Sequence, residues 1–134
     1  MKKVILLSLV AIGIFASCRK ETTSSMSTTD MVQKKWRLVS TQDVQYVGTT
    51  NVVDTIITTP AAITDSIEFK TNNTAVFTFM GFADTVNYQI IGDTKIVVDA
   101  DTFTINTLNL NDFVMTYSNR VDTTHYDNII TLKR

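Results

Sequence analysis

Cysteine, proline and histidine each occur once in the 134 residues, and glycine only four times. One cysteine cannot close an intramolecular disulfide, so the domain must be held together by its apolar core. So few glycines leave no Gly-rich loop of the kind that cradles phosphate through backbone N–H groups. The one imidazole, His125, has Ser118 and Asp127 close to it in sequence. Side chains that near one another on a hairpin rarely reach triad geometry, and His125 reads as a solvent-facing residue. Carboxylate pairs for glycoside hydrolysis are also lacking, since Glu21 lies in a polar segment and Glu68 is an isolated, outward strand residue. Asp99 and Asp101 flank Ala100 without the further acid and glycine of a calcium loop, and local turn bonding accounts for them. The expectation is a protein that is not an enzyme, with no cofactor and no metal.

Charge is balanced, at 12 basic against 13 acidic residues. The single uncharged apolar run, Val4 to Phe15, is preceded by Lys2 and Lys3 and followed by Ala16, Ser17 and Cys18. It is too short to span a bilayer, which takes about 20 apolar residues. It is apolar on every side rather than along one stripe, unlike a core helix. The three parts match a secretory signal over residues 1–17. The small residues ahead of Cys18 resemble the lipobox of bacterial lipoprotein signals, although Phe15 stands where Leu is usual. The resemblance implies that the Cys18 thiol receives a diacylglycerol, that the chain is cut before it and that the new amine is acylated. Burial of acyl chains, at about 0.8 kcal/mol per methylene, makes such an anchor effectively permanent.

Loss of residues 1–17 removes two lysines and no acid, leaving ten basic against thirteen acidic side chains and a formal charge of −3. That balance argues against a nucleic-acid partner. It also supplies no polybasic patch for anionic lipid head groups, so the expected membrane contact is the lipid anchor alone. Residues 18–29 carry too little apolar surface to offset the entropy of ordering and read as a flexible tether. Arg19, Lys20 and Glu21 weakly resemble a surface-export signal of Bacteroidota. Outer-membrane attachment is thus expected, with periplasmic or surface facing left open.

Residues 30–134 read as one all-β domain. Asp30 can cap a short helical turn through Met31, Val32 and Gln33. Threonine supplies 23 residues, with Val and Ile abundant, and β-branched side chains favour the pleated surface. Turn signals recur every 8 to 12 residues or so, which predicts eight or nine short strands in a sandwich or barrel. Alternation places Ile67 and Phe69 on the inner face, as it does Ala75, Phe77 and Phe79, then Val86, Tyr88 and Ile90. The same parity turns Phe103 and Ile105 inward, with Phe113, Met115 and Tyr117, and finally Tyr126, Ile130 and Leu132. Without crossover helices each strand is expected to pair with the next, giving an antiparallel up-and-down meander. A closed barrel is preferred to an open β-sandwich because closure removes edge strands. Residues 49–60, apolar on both parities in NVVDTIITT, read either as a doubly covered strand or as a loop over the barrel mouth.

Four stretches in order, KKWRLVS, DSIEFKTNNTAVFTF, YQIIGDTKIVV and INTLNL, resemble the lipocalin-like lipoproteins of Bacteroidota, small antiparallel barrels behind a lipobox. The resemblance implies an exported, membrane-anchored, lipocalin-like barrel. It gives Trp36 a structural place on the barrel floor, with Lys133 or Arg134 as the candidate cation over its ring. A small apolar ligand is the partner the resemblance implies, and the inward aromatics Phe77, Phe79, Tyr88, Phe103, Phe113 and Tyr117 are its candidate contacts. The same rings could instead fill an eight-stranded interior, and the short chain favours filling. The alternative function is an envelope interaction module that meets a protein or glycan through its outer face and loops; no particular protein partner is indicated. Asp54-Thr55-Ile56, Asp65-Ser66-Ile67, Asp84-Thr85-Val86 and Asp122-Thr123-Thr124 resemble O-glycosylation acceptors, which makes Thr55, Ser66, Thr85 and Thr123 candidate modification sites.

Overall fold

The computed structural model describes residues 25–48 and 52–134. The signal segment, Cys18 and the tether up to residue 24 lie outside the described residues. The first element, α1 (Thr28–Val32), begins earlier than the sequence reading placed it. Ser27, not Asp30, is the cap: its hydroxyl oxygen accepts the Asp30 N–H at 3.1 Å, and the hydroxyl donates to the Asp30 carboxylate at 2.7 Å. The first bond is a side-chain N-cap, and the second holds the hydroxyl in place for it. Thr28 adds a hydrogen bond to Asp93, 65 positions away, at 2.8 Å. The last residues assigned to the tether therefore belong to the folded domain.

Nine strands follow: β1 (Lys35–Val47), β2 (Val52–Pro60), β3 (Ser66–Phe69), β4 (Thr74–Phe79), β5 (Phe82–Ile91), β6 (Lys95–Val98), β7 (Asp101–Leu108), β8 (Asp112–Val121) and β9 (Thr124–Lys133). All pairings are antiparallel, and β9 returns to β1, so β1 and β3 to β9 close an eight-stranded barrel with β2 as an extra strand. The expected barrel is thus observed, with one correction to the meander. β2 and β3 do not pair with each other; both pair with the same edge of β1 at different heights. β1 is long enough for this at 13 residues. Its start meets β3 at Trp36↔Ile67, and its remainder from Ser40 to Val47 meets β2.

Residues 52–60 are neither a doubly covered strand nor a loop. β2 is an edge strand with both faces in solvent, including Ile56 at 55% and Ile57 at 57% exposure. Pro60 closes it, a residue tolerated at a sheet edge because it has no N–H to pair. A bulge in β1 between Leu38 and Ser40 switches its inward parity. Below the bulge Trp36 and Leu38 point inward; above it Thr41, Asp43 and Gln45 share the face of their β9 partners Ile130, Asn128 and Tyr126.

The two ends of the barrel differ. One end is closed by α1: Val32 is fully buried, and its carbonyl accepts the Trp36 Nε1–H at 3.0 Å. Trp36 meets Phe113 edge-on at 5.5 Å, and Phe69 packs against Tyr88 at 5.1 Å and Phe113 at 5.9 Å. Burying each of these rings contributes about 1.5–3 kcal/mol. Phe79 and Tyr126 keep the expected parity but are 39% and 42% exposed, because they lie near the other end: Phe79 is one residue past the last β3 pair, and Tyr126 is above the packed core although β1 and β8 flank it. The turns at that end include Met80-Gly81, both left-handed at φ 49° and 86°. Such a conformation strains a non-glycine residue. The buried Asp65 carboxylate holds it, accepting the Met80 N–H at 2.9 Å and the Ala62 N–H at 3.0 Å.

Candidate functional site at the open end of the barrel

The six candidate contact aromatics divide by height. Phe113 is fully buried, and Tyr88 is nearly so, its hydroxyl donating to the Lys70 carbonyl at 2.8 Å and accepting from Gln33 at 3.2 Å. Both are parts of the floor and out of reach of any ligand. Phe77, Phe103 and Tyr117 are half-buried higher up, with Phe103 5.6 Å from Tyr117 and Phe77 5.9 Å from the exposed Phe79. The core cluster fills the closed half of the barrel.

Above that fill, β8, β9, β1 and β2 continue past the other strands as a wall, and its inner face carries an open groove of about 440 Å³. That volume is within the range of small-molecule sites. Tyr117 and Tyr126 are diagonal neighbours, because Tyr117 pairs with Asn128 and Asn119 pairs with Tyr126. Asp43 and Gln45 come from β1, and Thr55 and Ile57 from β2. The Asn128 amide donates to Asp43 at 2.6 Å. Two phenol rings and branched apolar side chains thus stand beside a few fixed amide and carboxylate groups. No lysine, arginine or histidine lines the groove among the described residues, whereas the Asp43 carboxylate does; Asp127 borders it from β9 with its side chain on the other face. Of the sequence-stated contacts only Tyr117 lines it. Tyr126 was legible from parity alone, but Asp43, Gln45 and Asn128 were not, since the β1 bulge that turns Asp43 and Gln45 inward leaves no mark in the apolar pattern.

On the outer face of the same wall, Asp127 gathers neighbours. Ser118 donates to its Oδ1 at 2.6 Å, and His125 Nε2 approaches the same oxygen at 2.9 Å. The carboxylate therefore stands between hydroxyl and imidazole, with the imidazole directed at the acid rather than at the serine. A serine nucleophile needs the base against its own hydroxyl. Tyr46 stacks on His125 at 5.3 Å. Desolvation raises the Tyr46 phenol above its ordinary value, and the charge of Asp127 and its role as hydrogen-bond acceptor add to that.

The four acceptor-like triplets do not share one environment. Ser66 is 6% exposed inside the fold, which withdraws it as a modification site of the folded domain. Thr55, Thr85 and Thr123 are exposed, with the Thr55 hydroxyl turned to Asp54 at 3.1 Å. Trp36 has its cation: the Arg134 guanidinium carbon is 6.0 Å from the ring centroid, while Lys133 goes to Asp112 at 3.7 Å.

One reading from charge balance does not survive folding. Lys35, Arg37, Lys133 and Arg134 line a single groove at the closed end, and Lys34, Lys35 and Lys70 line the next one. Cations far apart in sequence meet there because Arg37 pairs with Lys133 across β1 and β9. A basic patch therefore exists on a domain of net negative charge. No family model matches the chain, and no curated protein and no solved structure matches it either.

Proposed function

We propose that this is a lipid-anchored, non-catalytic envelope protein whose barrel presents one ligand groove at its open end, for a small uncharged amphipathic molecule. The observation that supports the ligand reading is the lining of that groove, with tyrosine faces and Ile57 beside Asp43, Gln45 and Asn128 and no cation. A fatty-acid carboxylate entering it would meet the Asp43 carboxylate without a counter-charge, a desolvation cost with nothing to offset it. The anchor part rests on the sequence ending in Ala16-Ser17-Cys18.

Native mass spectrometry of the full chain, extracted in mild detergent from its own cell, tests both parts. The expected result is a chain that begins at Cys18, with a diacylglycerol on its thiol and an acyl group on its amine, and a bound small molecule that is lost in Tyr126→Ala. A bare thiol would remove the anchor, and a chain that is ligand-free under every extraction condition would remove the groove function. A second reading, an interaction module, is favoured by β2, whose free edge and exposed Ile56 suit strand addition by a partner protein. Crosslinking in intact cells through β2 positions that recovers one stoichiometric protein would select it.

A further inference from the structure

The barrel is electrically polarised along its axis. At the closed end stand Lys34, Lys35, Arg37, Lys70, Lys133 and Arg134, all on or beside two adjoining grooves. Lys95, which opens β6, is at the same end. Among the described cations only Arg120 is at the other end, near the β8–β9 turn. Acids prevail there instead: Asp99, Asp101 and Asp122 lie at open-end turns, Asp43 lines the open-end groove, and Asp127 is on the outer face of its wall. Four acids stand among these seven cations: Asp30 and Asp93 are exposed in and beside α1, Glu68 is paired across from Lys35, and Asp112 approaches Lys133, so the closed end keeps a positive balance.

Two further features bear on this end. Ile63, 84% exposed, reaches the groove of Lys35, Arg37, Lys133 and Arg134 from the β2–β3 connection, so an apolar side chain projects beside four cations. The chain also enters the domain here, since α1 leads directly into Lys35 and packs against the closed end. Cys18 is seven residue steps from Ser25, a reach of at most about 25 Å, which keeps a membrane-held Cys18 close to this basic end.

We infer that the closed end docks on the anionic phosphates of the membrane that holds the anchor, with Ile63 at the head-group boundary. Basic residues flanking an exposed apolar side chain are the chemistry of interfacial binding. The acidic open end is repelled by the same surface, so docking aims the groove away from the bilayer. This inference rests on the anchor proposed above. It makes the lipid anchor and the barrel floor one attachment device and fixes an orientation that a tether alone leaves free.

The test uses the protein as its own cell makes it, isotope-labelled, in nanodiscs of phosphatidylcholine alone or with 30% phosphatidylglycerol as a chosen probe composition of about physiological surface charge. A head-group spin label then broadens amide signals near the surface. Expected is broadening at Arg37, Ile63, Lys70 and Lys133 in the anionic discs only, reversed by high salt, with Asp99 and Asp122 unaffected. Lys35→Gln with Arg37→Gln should weaken the docked state about 25-fold, at roughly fivefold per cation. Retention on both discs without any dependence on composition overturns docking and leaves the anchor standing. Binding only to anionic discs, with closed-end broadening, supports docking and removes the anchor. Retention on neither overturns both, and broadening at Asp99 or Asp122 overturns the orientation.

Discussion

The guanidinium of Arg134, the last residue, lies 6.0 Å from the ring of Trp36, which opens the first strand. Arg134 is also fixed by its N–H to the Asn111 carbonyl at 3.0 Å and by its guanidinium to the Leu110 carbonyl at 3.2 Å. The two ends of the domain are thereby joined under the barrel. Arg134→Ala should lower the unfolding free energy by about 1 kcal/mol in urea titration. Trp36→Ala should lower it by about 3–5 kcal/mol, because a fully buried ring is lost along with the contact. Equal stability of Arg134→Ala and the parent would deny the cation any part.

Asp65 is the one buried acid in the described domain, and it joins the β2–β3 connection to the strained Met80 turn. Asp65→Ala leaves two backbone N–H groups without their acceptor, and a loss of about 2–4 kcal/mol is expected. Amide exchange at Ala62 and Met80 should accelerate more than at Trp36. Unchanged exchange at those two amides would show that the carboxylate does not hold the turn.

Tyr46 gives an alkaline signature. Its folded pKa is raised above the ordinary value of 10.0, so the folded state holds the phenolic proton more tightly than the unfolded chain does. That stabilising contribution is fully present below pH 10.0 and is lost as pH rises through the folded pKa. Tyr46→Phe should therefore show a shallower fall in stability above that pH than the parent, measured by urea unfolding at closely spaced alkaline pH values. Parallel curves for the two proteins would contradict the assignment.

The free edge of β2 makes a prediction about solubility. Val53, Ile56 and Ile57 are each about half exposed on a strand whose outer edge has no partner among the described residues. Unprotected apolar edges pair with other chains, and an edge lysine suppresses this. Ile56→Lys should change folding stability by less than about 0.5 kcal/mol while slowing aggregation severalfold by light scattering. A cooperative loss of fold would mean that the Ile56 side chain is needed for the core.

Much of the fold was legible because the inner strands have one wet and one dry face. Ile67 and Phe69, and Tyr88, alternate with polar residues, Phe113 and Met115 are bracketed by Asp112 and Thr116, and all are buried where parity places them. β2 was illegible for the same reason, since a strand exposed on both faces is under no demand to alternate. The groove was legible only through Tyr117 and Tyr126. Its polar members depend on the bulge near Val39, a single extra residue that no periodicity announces.

The sequence by itself determined the strand-rich class, the inner faces of the barrel strands, the lack of a disulfide and the signal-like segment ending at Cys18. Those properties follow from local composition and from a period of two. Tertiary structure decided which residues separated by tens of positions stand together. It put β2 and β3 on one edge of β1, set Arg134 under Trp36, and gathered Lys35, Arg37 and Lys133 at one end with Asp43 and Asp127 at the other. Net charge is a sum and carries no position; only closure of the barrel, with its fixed register between β1 and β9, gives that sum a direction.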